Sequence, residues 1–397
     1  MKMVTSYWIL FGLLVYSYIG YPAMLWLIVK FAGHRSPPSG ASTRPRITLI
    51  VPAYNEEAVI RHKLQNSLAL AYPADLLEII VVDDGSSDAT AEIAGSFTAE
   101  NLKVIRHSSR CGKASAINSA VRTARGSLLC LCDANATLSG DALTRLVAWM
   151  SEPNVGAVTG LVQLDTEDSE IGRGEELYYR LERWIQRAEN RLGSLLCVDG
   201  GMYLVRADLI PSLEVDTILD DFAISMSVLR RGYQIRYAPE ATANETGTQT
   251  GEEEYHRRSR LAAGYVQALK RCMLPSWRRP WLLWQFVSHK LLRWLGPLLL
   301  GGLLIVNSLI ASCGTVYTVA LVCQVMVYVG GLFGSCSSPF RRTTIGSALY
   351  YFTLSQWSMA LGLTRGLFNR QSVAWAKAER NLGRIPVLDA ATGENLG

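Results

Sequence analysis

The stretch EIIVVDDGSSDAT, residues 78 to 90, ends an apolar, β-branched run in two adjacent carboxylates, Asp83 and Asp84, followed at once by a Gly-Ser-Ser turn. An apolar run bounded by a turn is typical of a buried strand. Buried carboxylates are costly unless a partner, a hydrogen bond or a ligand compensates them. Two interpretations are open: residues 86 to 88 cap the following helix, or the acids serve a binding site at the end of the strand.

Short apolar runs alternate with helical stretches across residues 45 to 255. The runs ITLIVPAY, EIIVVDD, KVIRH and SLLCLCD predict strands, and the segments EEAVIRHKLQNSLAL, ATAEIAGSFTAEN, KASAINSAVRTA and GDALTRLVAWMSE predict helices. This alternation predicts an α/β domain with a parallel, doubly wound sheet. Because ligands of such sheets sit outside the carboxyl ends of the strands, we expect Tyr54, Asp83, Asp84 and Asp133 along one crevice.

Apolar residues make up 49% of the 397-residue chain and are concentrated at its two ends. No charged residue lies between Lys2 and Lys30, which is long enough for a membrane anchor over residues 1–31. A signal peptide is the alternative, but its apolar part would be only about 7–15 residues long, and no small-residue cleavage site follows cleanly. An uncleaved anchor is therefore expected.

A second uncharged region runs from Trp294 to Phe340, and Gly314 lies where a tight turn divides it into two spans. The next uncharged run, Thr343 to Thr364, carries Ser355, Gln356 and Ser358, so we expect it to dip into the membrane or to lie at its surface. The sequence thus predicts a C-terminal transmembrane region over residues 295–368 and a cytoplasmic tail over residues 369–397.

The distribution of positive charge predicts the orientation. Lys30, Arg35, Arg44 and Arg46 follow the first apolar segment, and only Lys2 precedes it. Because positive charge marks the cytoplasmic side, we expect a multi-pass protein of the cell (inner or plasma) membrane whose middle faces the cytoplasm. The eight cysteines include no CxxC pair, so neither disulfides nor zinc are expected.

The region after the α/β segment is strongly basic. From Tyr255 to Ala378 there is no Asp or Glu, whereas fourteen Lys and Arg occur. This bias suits segments that meet anionic headgroups, and equally a phosphate-bearing substrate. Residues 256–294 include PSWRRPWLLWQFVSHKLLRWL, whose Trp and basic content predicts an amphipathic interfacial helix. Nucleic acid is not expected as a partner, because no nucleic-acid-binding motif accompanies these charges.

Seven motifs follow one another in the order PAYNEE, DDGSSD, RCGKASAIN, DAN, VDGGMYLVR, LDDFAISMSVLRRGY and RRSR. In order and spacing they resemble the family 2 glycosyltransferases, membrane-bound enzymes related to cellulose, hyaluronan and poly-N-acetylglucosamine synthases. The resemblance covers almost the whole chain. It implies a GT-A fold, Rossmann-like with a mostly parallel sheet, over residues 45–255, and a nucleoside diphosphate sugar as the donor.

The resemblance assigns the donor contacts. In relatives the aromatic residue of the first motif packs on uracil and an acid of the second accepts from its imide N–H, which implies these roles for Tyr54 and for Asp83 or Asp84. Glu56 belongs to the same edge. Lys113, with Arg110, matches cations near the diphosphate. A tyrosine that merely closes the core, and a solvated basic loop at Arg110, are the alternatives.

The motif DAN corresponds to the family's DxD motif, which holds the donor through a divalent cation. Asp133 matches the first acid, and Asn135 stands where the second is usual. An amide oxygen still ligates but brings no charge, which implies a weaker Mg²⁺ or Mn²⁺ site or one that another residue completes. These cations favour oxygen ligands and offset charge on the leaving diphosphate.

The segment LDDFAISMSVLRRGY resembles the acceptor-side motif in which an acid acts as general base. An inverting transfer needs a carboxylate to take the acceptor hydroxyl proton while the anomeric carbon is attacked from the face opposite the diphosphate. Asp221 matches this base, with Asp220 beside it and Gly200 and Gly201 of the VDGG loop on the acceptor side. The alternative is N-capping of the helix by either acid, and both roles are compatible.

The stretch RRSRL stands where relatives have QxxRW, with Arg257 at the Gln, Arg260 at the Arg and Leu261 at the Trp. The two arginines match diphosphate contacts, and anchoring at the membrane surface is the alternative. In polymerising synthases the Trp lies near the acceptor sugar, so its replacement by leucine argues against long-chain processivity.

The sequence therefore predicts a membrane-bound inverting glycosyltransferase that transfers a sugar from a UDP-sugar to a lipid-linked or growing glycan in surface polysaccharide synthesis. A processive β-polysaccharide synthase is the alternative within the class. A non-catalytic nucleotide-binding membrane subunit is the alternative from another class, and it predicts loss of Asp221, which is present.

Overall fold

The structure, a computed structural model, describes residues 1–33, 44–165 and 172–371. Eight strands form one sheet: β1 Ile47–Ala53, β2 Leu77–Asp83, β3 Leu102–Arg106, β4 Leu128–Cys132, β5 Thr137–Leu138, β6 Val155–Asp165, β7 Met202–Arg206 and β8 Gln234–Thr246. Their order across the sheet is β3-β2-β1-β4-β7-β6-β8-β5. The four strands predicted from the sequence are β1 to β4, each within a few residues of its predicted bounds.

Helices flank this sheet and continue into apolar segments. Around the sheet lie α2 Glu57–Leu68, α3 Thr90–Gly95, α4 Lys113–Val121, α5 Ala142–Met150, α6 Gly172–Leu192, α7 Asp220–Arg230 and α8 Gly251–Lys270. The remaining helices are α1 Lys2–Phe31, α9 over residues 280–294, α10 Gly296–Cys313, α11 Thr315–Cys336, α12 Ser338–Arg341 and α13 Thr344–Leu367.

The sheet is mixed, whereas the alternation of strands and helices predicted a parallel sheet; the parallel order is found in its first half. Strands β3, β2, β1 and β4 run parallel, and β6 runs parallel to β8. Strand β7 is antiparallel to both β4 and β6, and β5 is antiparallel to β8. Helix α6 connects the end of β6 to the start of β7 at the same edge of the sheet, so these two strands are antiparallel.

The reversed strand β7 decides which residues share the binding edge. Strands β1, β2, β4, β6 and β8 end at this edge, whereas antiparallel β7 begins there. The loop before β7, with Gly200 and Gly201, therefore meets the polar residues that follow the parallel strands. The end of β8, with Glu245, reaches the same edge.

The core lies on both faces of the sheet, which explains the continuous apolar runs of its central strands. Leu49 and Val51 of β1 pack on one face, and Ile50 packs on the other. All three side chains are fully buried. A sheet covered on both faces is open to ligands only at its edges, so the site must form where the strands end.

Three helices are long and apolar enough to cross a membrane within the described residues: α1, α10 and α11. Gly314 separates α10 from α11, which confirms the division predicted there. Helix α13 is absent from this set and packs along α8 instead, with Gly362 against Ser259 and Gly366 against Ala263. Its polar face, with buried Ser355 and Ser358, is therefore turned toward protein.

The predicted boundary between residues 255 and 256 falls inside a continuous helix, α8. After it, residues 280–294 form α9, which is π-helical over Phe286–Leu291 and exposes Trp281. Of the residues used to predict topology, Arg35, Lys377 and Arg380 lie outside the described residues, as does most of the predicted tail.

Candidate active site

The second acid of the opening stretch, Asp84, orders a loop. One of its carboxylate oxygens, Oδ1, accepts from the Cys111 amide at 2.9 Å and lies 2.8 Å from His107 Nδ1. The other, Oδ2, accepts from the Gly112 amide at 2.7 Å. Both oxygens are thus engaged, and the carboxylate holds the segment that carries Arg110 and Lys113 against the end of β2.

The carboxylate of the first acid, Asp83, makes fewer hydrogen bonds than that of Asp84. Its Oδ2 accepts a long bond of 3.4 Å from the Ser86 amide, and its buried Oδ1 has no hydrogen-bond partner among the described residues. The turn beside it requires Gly85, whose φ is +72°, because a Cβ there would lie 2.5 Å from the backbone of Ser109. The sequence assigned the contact with the uracil imide to either Asp83 or Asp84. The structure gives these two acids different surroundings.

Tyr54 and Arg110 form the mouth of a cleft. The Arg110 guanidinium lies 3.9 Å from the centre of the Tyr54 ring. The turn after Tyr54 is held by Asn55, whose side-chain oxygen accepts from the Ser87 amide at 2.8 Å. The first two motifs are thereby tied together, and the Arg110 guanidinium covers one face of the Tyr54 ring.

Lys113 joins the donor-side and acceptor-side acids at the floor of this cleft. Its ammonium donates to Asp133 Oδ1 at 2.9 Å and lies 3.5 Å from Asp220 Oδ2. These carboxylates raise the pKa of Lys113 above its usual value, against the effect of burial. A permanent cation therefore lies between the DAN motif and the LDD motif, which are almost ninety residues apart in the chain.

Asp221 occupies the first turn of α7, directly after Asp220. Its Oδ1 accepts from the Phe222 amide at 2.7 Å, which places the charge where a helix N-terminus stabilises it. Burial and the neighbouring Asp220 nevertheless raise the pKa of Asp221 to about 6, while Lys113 opposes this shift. The predicted N-capping by either acid is wrong, because the N-cap of α7 is Leu219 and no side chain caps the helix; both acids lie in its first turn instead.

The rate of transfer should fall below about pH 6, because protonated Asp221 cannot accept a proton. Asp220→Asn removes the repelling charge and should move this acid limb of kcat/KM to lower pH. Lys113→Met removes the stabilising cation and should move it to higher pH. A pH profile for each variant checks the opposite signs, and an acid limb near the ordinary carboxylate pKa in every variant would contradict the assignment.

The DAN motif has an acidic neighbour that the sequence motifs do not include. Asn135 donates through Nδ2 to Glu245 Oε1 at 2.7 Å, which leaves the Asn135 side-chain oxygen as a ligand atom. Asp133, Asn135 and Glu245 together offer oxygen donors, the set that suits Mg²⁺ or Mn²⁺. No motif marks Glu245 in the sequence, and only the strand pairing of β8 brings it to this edge.

The structure separates the two arginines of the RRSRL stretch. Arg260 lines the cleft with Tyr54, Glu56 and Asp84. Arg257 does not: its guanidinium bonds to Glu254 at 2.8 Å and to Glu175 at 3.0 Å, facing a neighbouring cavity. The structure thus places Arg257, a predicted donor contact, outside the cleft, because Glu175 of α6 pairs with its side chain.

The remaining predicted residues lie at or beside the cleft. The cleft is lined by, among others, Lys113, Asp133, Gly200, Asp220, Asp221 and Leu261. Gly200 lies beside Asp221, since a Cβ at this position would make an ordinary contact of 3.5 Å with its carboxylate. Gly201 lies one layer behind, where its amide donates to Asp199 Oδ1 at 3.1 Å. The cleft encloses about 1040 Å³ when its mouth, which is open to solvent, is included.

The sequence model of the family described as "Glycosyl transferase family 2" matches residues 48–210, which contain β1 to β7 and the donor side of this cleft. This match indicates a family 2 glycosyltransferase. The glycosyltransferase is 26% identical over 369 residues to "Probable glycosyltransferase YdaM" of Bacillus subtilis, and the match spans 85% of this chain and 87% of the relative.

This glycosyltransferase also resembles the poly-beta-1,6-N-acetyl-D-glucosamine synthase of Staphylococcus aureus, with 28% identity over 250 residues. That match spans 61% of this chain and only 60% of the synthase. Among solved structures, a mannosyltransferase of Pyrobaculum calidifontis in complex with GDP-Man and Mn²⁺ superposes with a TM-score of 0.71, at 22% identity, over 92% of this chain and all of the other. This likeness confirms the predicted GT-A fold.

Proposed function

We propose that this glycosyltransferase transfers a sugar from a UDP-sugar to a glycan or lipid-linked acceptor at the membrane, with inversion at the anomeric carbon. The observation that carries the proposal is the position of Lys113, which contacts Asp133 on the donor side and Asp220, next to the proposed base, on the acceptor side. A sugar whose diphosphate lies on Lys113 therefore has its anomeric carbon close to Asp221.

The donor base stacks on the Tyr54 ring in this proposal, and Arg110, which covers that ring at 3.9 Å in this structure, moves aside to admit it. Asp83 supplies the hydrogen-bond acceptor for the uracil imide N–H, since its Oδ1 is buried and without a partner among the described residues. Asp84, whose oxygens are engaged, positions the loop. Glu56 and Arg260 complete the donor side of the cleft.

Asp133 and Asn135 would hold the divalent cation, with Glu245 as the additional acid. Their oxygen atoms match the preference of Mg²⁺ and Mn²⁺, and two carboxylates make up for the charge that Asn135 lacks. When bound, the cation neutralises charge on the diphosphate as it leaves.

The transfer step needs only one proton movement by the chain. Asp221 accepts the proton of the acceptor hydroxyl as its oxygen attacks the anomeric carbon, and the bond from that carbon to the diphosphate oxygen breaks on the opposite face. Lys113 remains charged throughout and stabilises the leaving UDP. The products are the extended acceptor, UDP and a protonated Asp221.

The donor is tested by incubating the purified protein in detergent with a panel of UDP-sugars and with GDP-mannose, and measuring nucleotide release. We expect release from a UDP-sugar, because Tyr54 and Asp83 fit a uracil ring. Release from GDP-mannose alone would overturn the choice of donor and leave the glycosyltransferase assignment intact.

The wild-type product should be one sugar or a short chain on a carrier. Leu261 lines the cleft without an aromatic face, so the growing glycan is stacked weakly and dissociates early. Sizing of the product by gel or mass spectrometry checks this, with Leu261→Trp as the variant expected to lengthen it. A polymer of high molecular mass from the wild-type protein would favour the processive alternative.

The proposed enzyme is a multi-pass membrane protein with its catalytic domain in the cytoplasm, and α13 stays on the catalytic side. The Arg342 carbonyl, just before α13, accepts from Arg173 at 2.9 Å, and Arg365 near its end donates to the Tyr255 hydroxyl at 2.9 Å. Both ends thus contact elements of the catalytic domain. This arrangement agrees with the positive charge of Arg341, Arg342, Arg365 and Arg370, which favours the cytoplasm.

A reporter fused to the C terminus should therefore be cytoplasmic. A second reporter, inserted at Gly314 between α10 and α11, should lie on the outer face and serves as the control. An external C-terminal reporter would contradict the prediction and make α13 a full span.

A further inference from the structure

A buried lysine lies behind the DAN motif, and no step proposed above uses it. Lys63 of α2 is only 1% exposed, which is rare for lysine because burying a charge is costly. Asp133 lines the cleft, whereas the two residues that Lys63 contacts, Cys132 and Ala136, belong to the core packed beneath α2. The lysine therefore reaches the DAN turn from the interior of the domain.

The ammonium group of this lysine contacts the chain on both sides of the motif. It donates to the Ala136 carbonyl at 2.6 Å and lies 2.9 Å from Cys132 Sγ. Cys132 directly precedes Asp133, and Ala136 directly follows Asn135. The turn between them is closed by the Ala136 amide, which donates to the Asp133 carbonyl at 3.2 Å. One side chain thus holds both ends of the segment that carries the proposed metal ligands.

The positive charge of Lys63 is not used in a salt bridge within the described residues, since its hydrogen-bond partners are a carbonyl and a thiol. Burial raises the pKa of the Cys132 thiol, although Lys63 opposes this shift. The thiol therefore stays protonated at neutral pH and supplies no counter-charge. An apolar side chain would fill the same space at lower cost, so packing alone does not account for a lysine at this position.

A second polar residue of α2, Asn66, holds the chain just beyond the motif. Its Nδ2 donates to the Leu138 carbonyl at 2.8 Å, and its Oδ1 accepts from the Leu138 amide at 2.9 Å. Lys63 and Asn66 are three residues apart and therefore share one face of the helix. Leu138 pairs with Ala243 of β8, the strand that carries Glu245. Helix α2 thus supports both segments that supply the proposed metal ligands.

We propose that Lys63 is a positioning residue for the divalent cation, because its ammonium fixes the turn from which Asp133 and Asn135 offer their oxygen atoms. Lys63 acts only through this turn and touches neither the cation nor the substrate. The proposal rests on the proposed function, which supplies the metal site. Side chains that orient metal ligands from outside typically change metal affinity about 10-fold to 100-fold when they are replaced.

The test measures Mn²⁺ binding to full-length Lys63→Met protein in detergent, by electron paramagnetic resonance in the presence of UDP. Methionine keeps most of the length and the apolar stem of lysine but removes the ammonium. Mn²⁺ affinity should fall at least about tenfold, and the KM for Mn²⁺ should rise by the same factor. At saturating Mn²⁺, kcat should stay within about threefold of the wild-type value, because every ligand atom is still present.

Two further variants distinguish positioning of the ligands from a general contribution to the fold. Ser67→Ala is the matched control, because Ser67 is fully buried one turn further along α2 and its hydroxyl donates to the Lys63 carbonyl at 2.8 Å. It loses a buried hydrogen bond without touching the DAN turn, so it should bind Mn²⁺ like the wild type. Lys63→Gln keeps an N–H donor and should recover part of the affinity lost in Lys63→Met. It also serves as the test variant if the methionine protein does not fold.

Two outcomes would overturn the inference: the folded Lys63 variants bind Mn²⁺ as the wild type does, or Ser67→Ala weakens Mn²⁺ binding as much as Lys63→Met does. Either result would show that Lys63 only stabilises the core, and the proposed function would stand because the wild-type protein still binds Mn²⁺ with UDP. Failure of the wild-type protein itself to bind Mn²⁺ would instead overturn the metal site of the proposed function, and this inference with it.

Discussion

Asp221→Asn should lower turnover about 10²- to 10⁴-fold, the usual contribution of a general base. The affinity for UDP should stay within about twofold of the wild-type value. The substitution keeps the size of the side chain and its bond from the Phe222 amide, so α7 should remain intact. It removes the group that accepts the proton. Turnover is measured by UDP release, and binding by calorimetric titration of UDP.

The control for this variant is Asp208→Asn, an exposed acid away from the cleft, which should behave like the wild type. A folded Asp221→Asn protein that binds UDP weakly would move Asp221 to the donor site. Retention of turnover would assign the base to another residue, and Asp199, in the adjacent loop, would be the next candidate.

Asp133→Ala should lower turnover at least about 100-fold and should abolish the response to Mg²⁺ or Mn²⁺. Asp133 lines the cleft and pairs with Lys113, so its loss removes a charged ligand and leaves an excess positive charge. Binding of Mn²⁺, followed by electron paramagnetic resonance in the presence of UDP, should weaken in parallel. This second readout does not depend on activity.

Glu245→Gln provides a graded comparison, because it keeps a hydrogen bond to Asn135 but removes a charge. It should weaken Mn²⁺ binding less than Asp133→Ala does. Asp141→Ala, an exposed acid paired with Arg145 on the nearby helix, is the control and should bind Mn²⁺ normally. Full turnover of the wild-type protein in excess EDTA would show that the metal assignment is wrong.

The local pattern of apolar and polar residues was sufficient to predict much of the fold. The alternation of apolar runs and helical segments predicted β1 to β4, and the carboxyl ends of parallel strands necessarily share one edge, so Tyr54 and Asp133 could be placed together. The length of the uncharged runs predicted the helices that can cross a membrane, with Gly314 between two of them. These inferences need only the neighbours of each residue in the chain.

Long-range pairing decided the rest. The different surroundings of Asp83 and Asp84 depend on the loop at residues 109–112, and Arg257 turns away from the cleft because Glu175 lies on a distant helix. Glu245 reaches the DAN motif only through the register of β8 with β5 and β6. A sequence read in one dimension determines which groups are present and which strand ends share an edge. The contacts that engage or release each group arise only when segments far apart in the chain pack together.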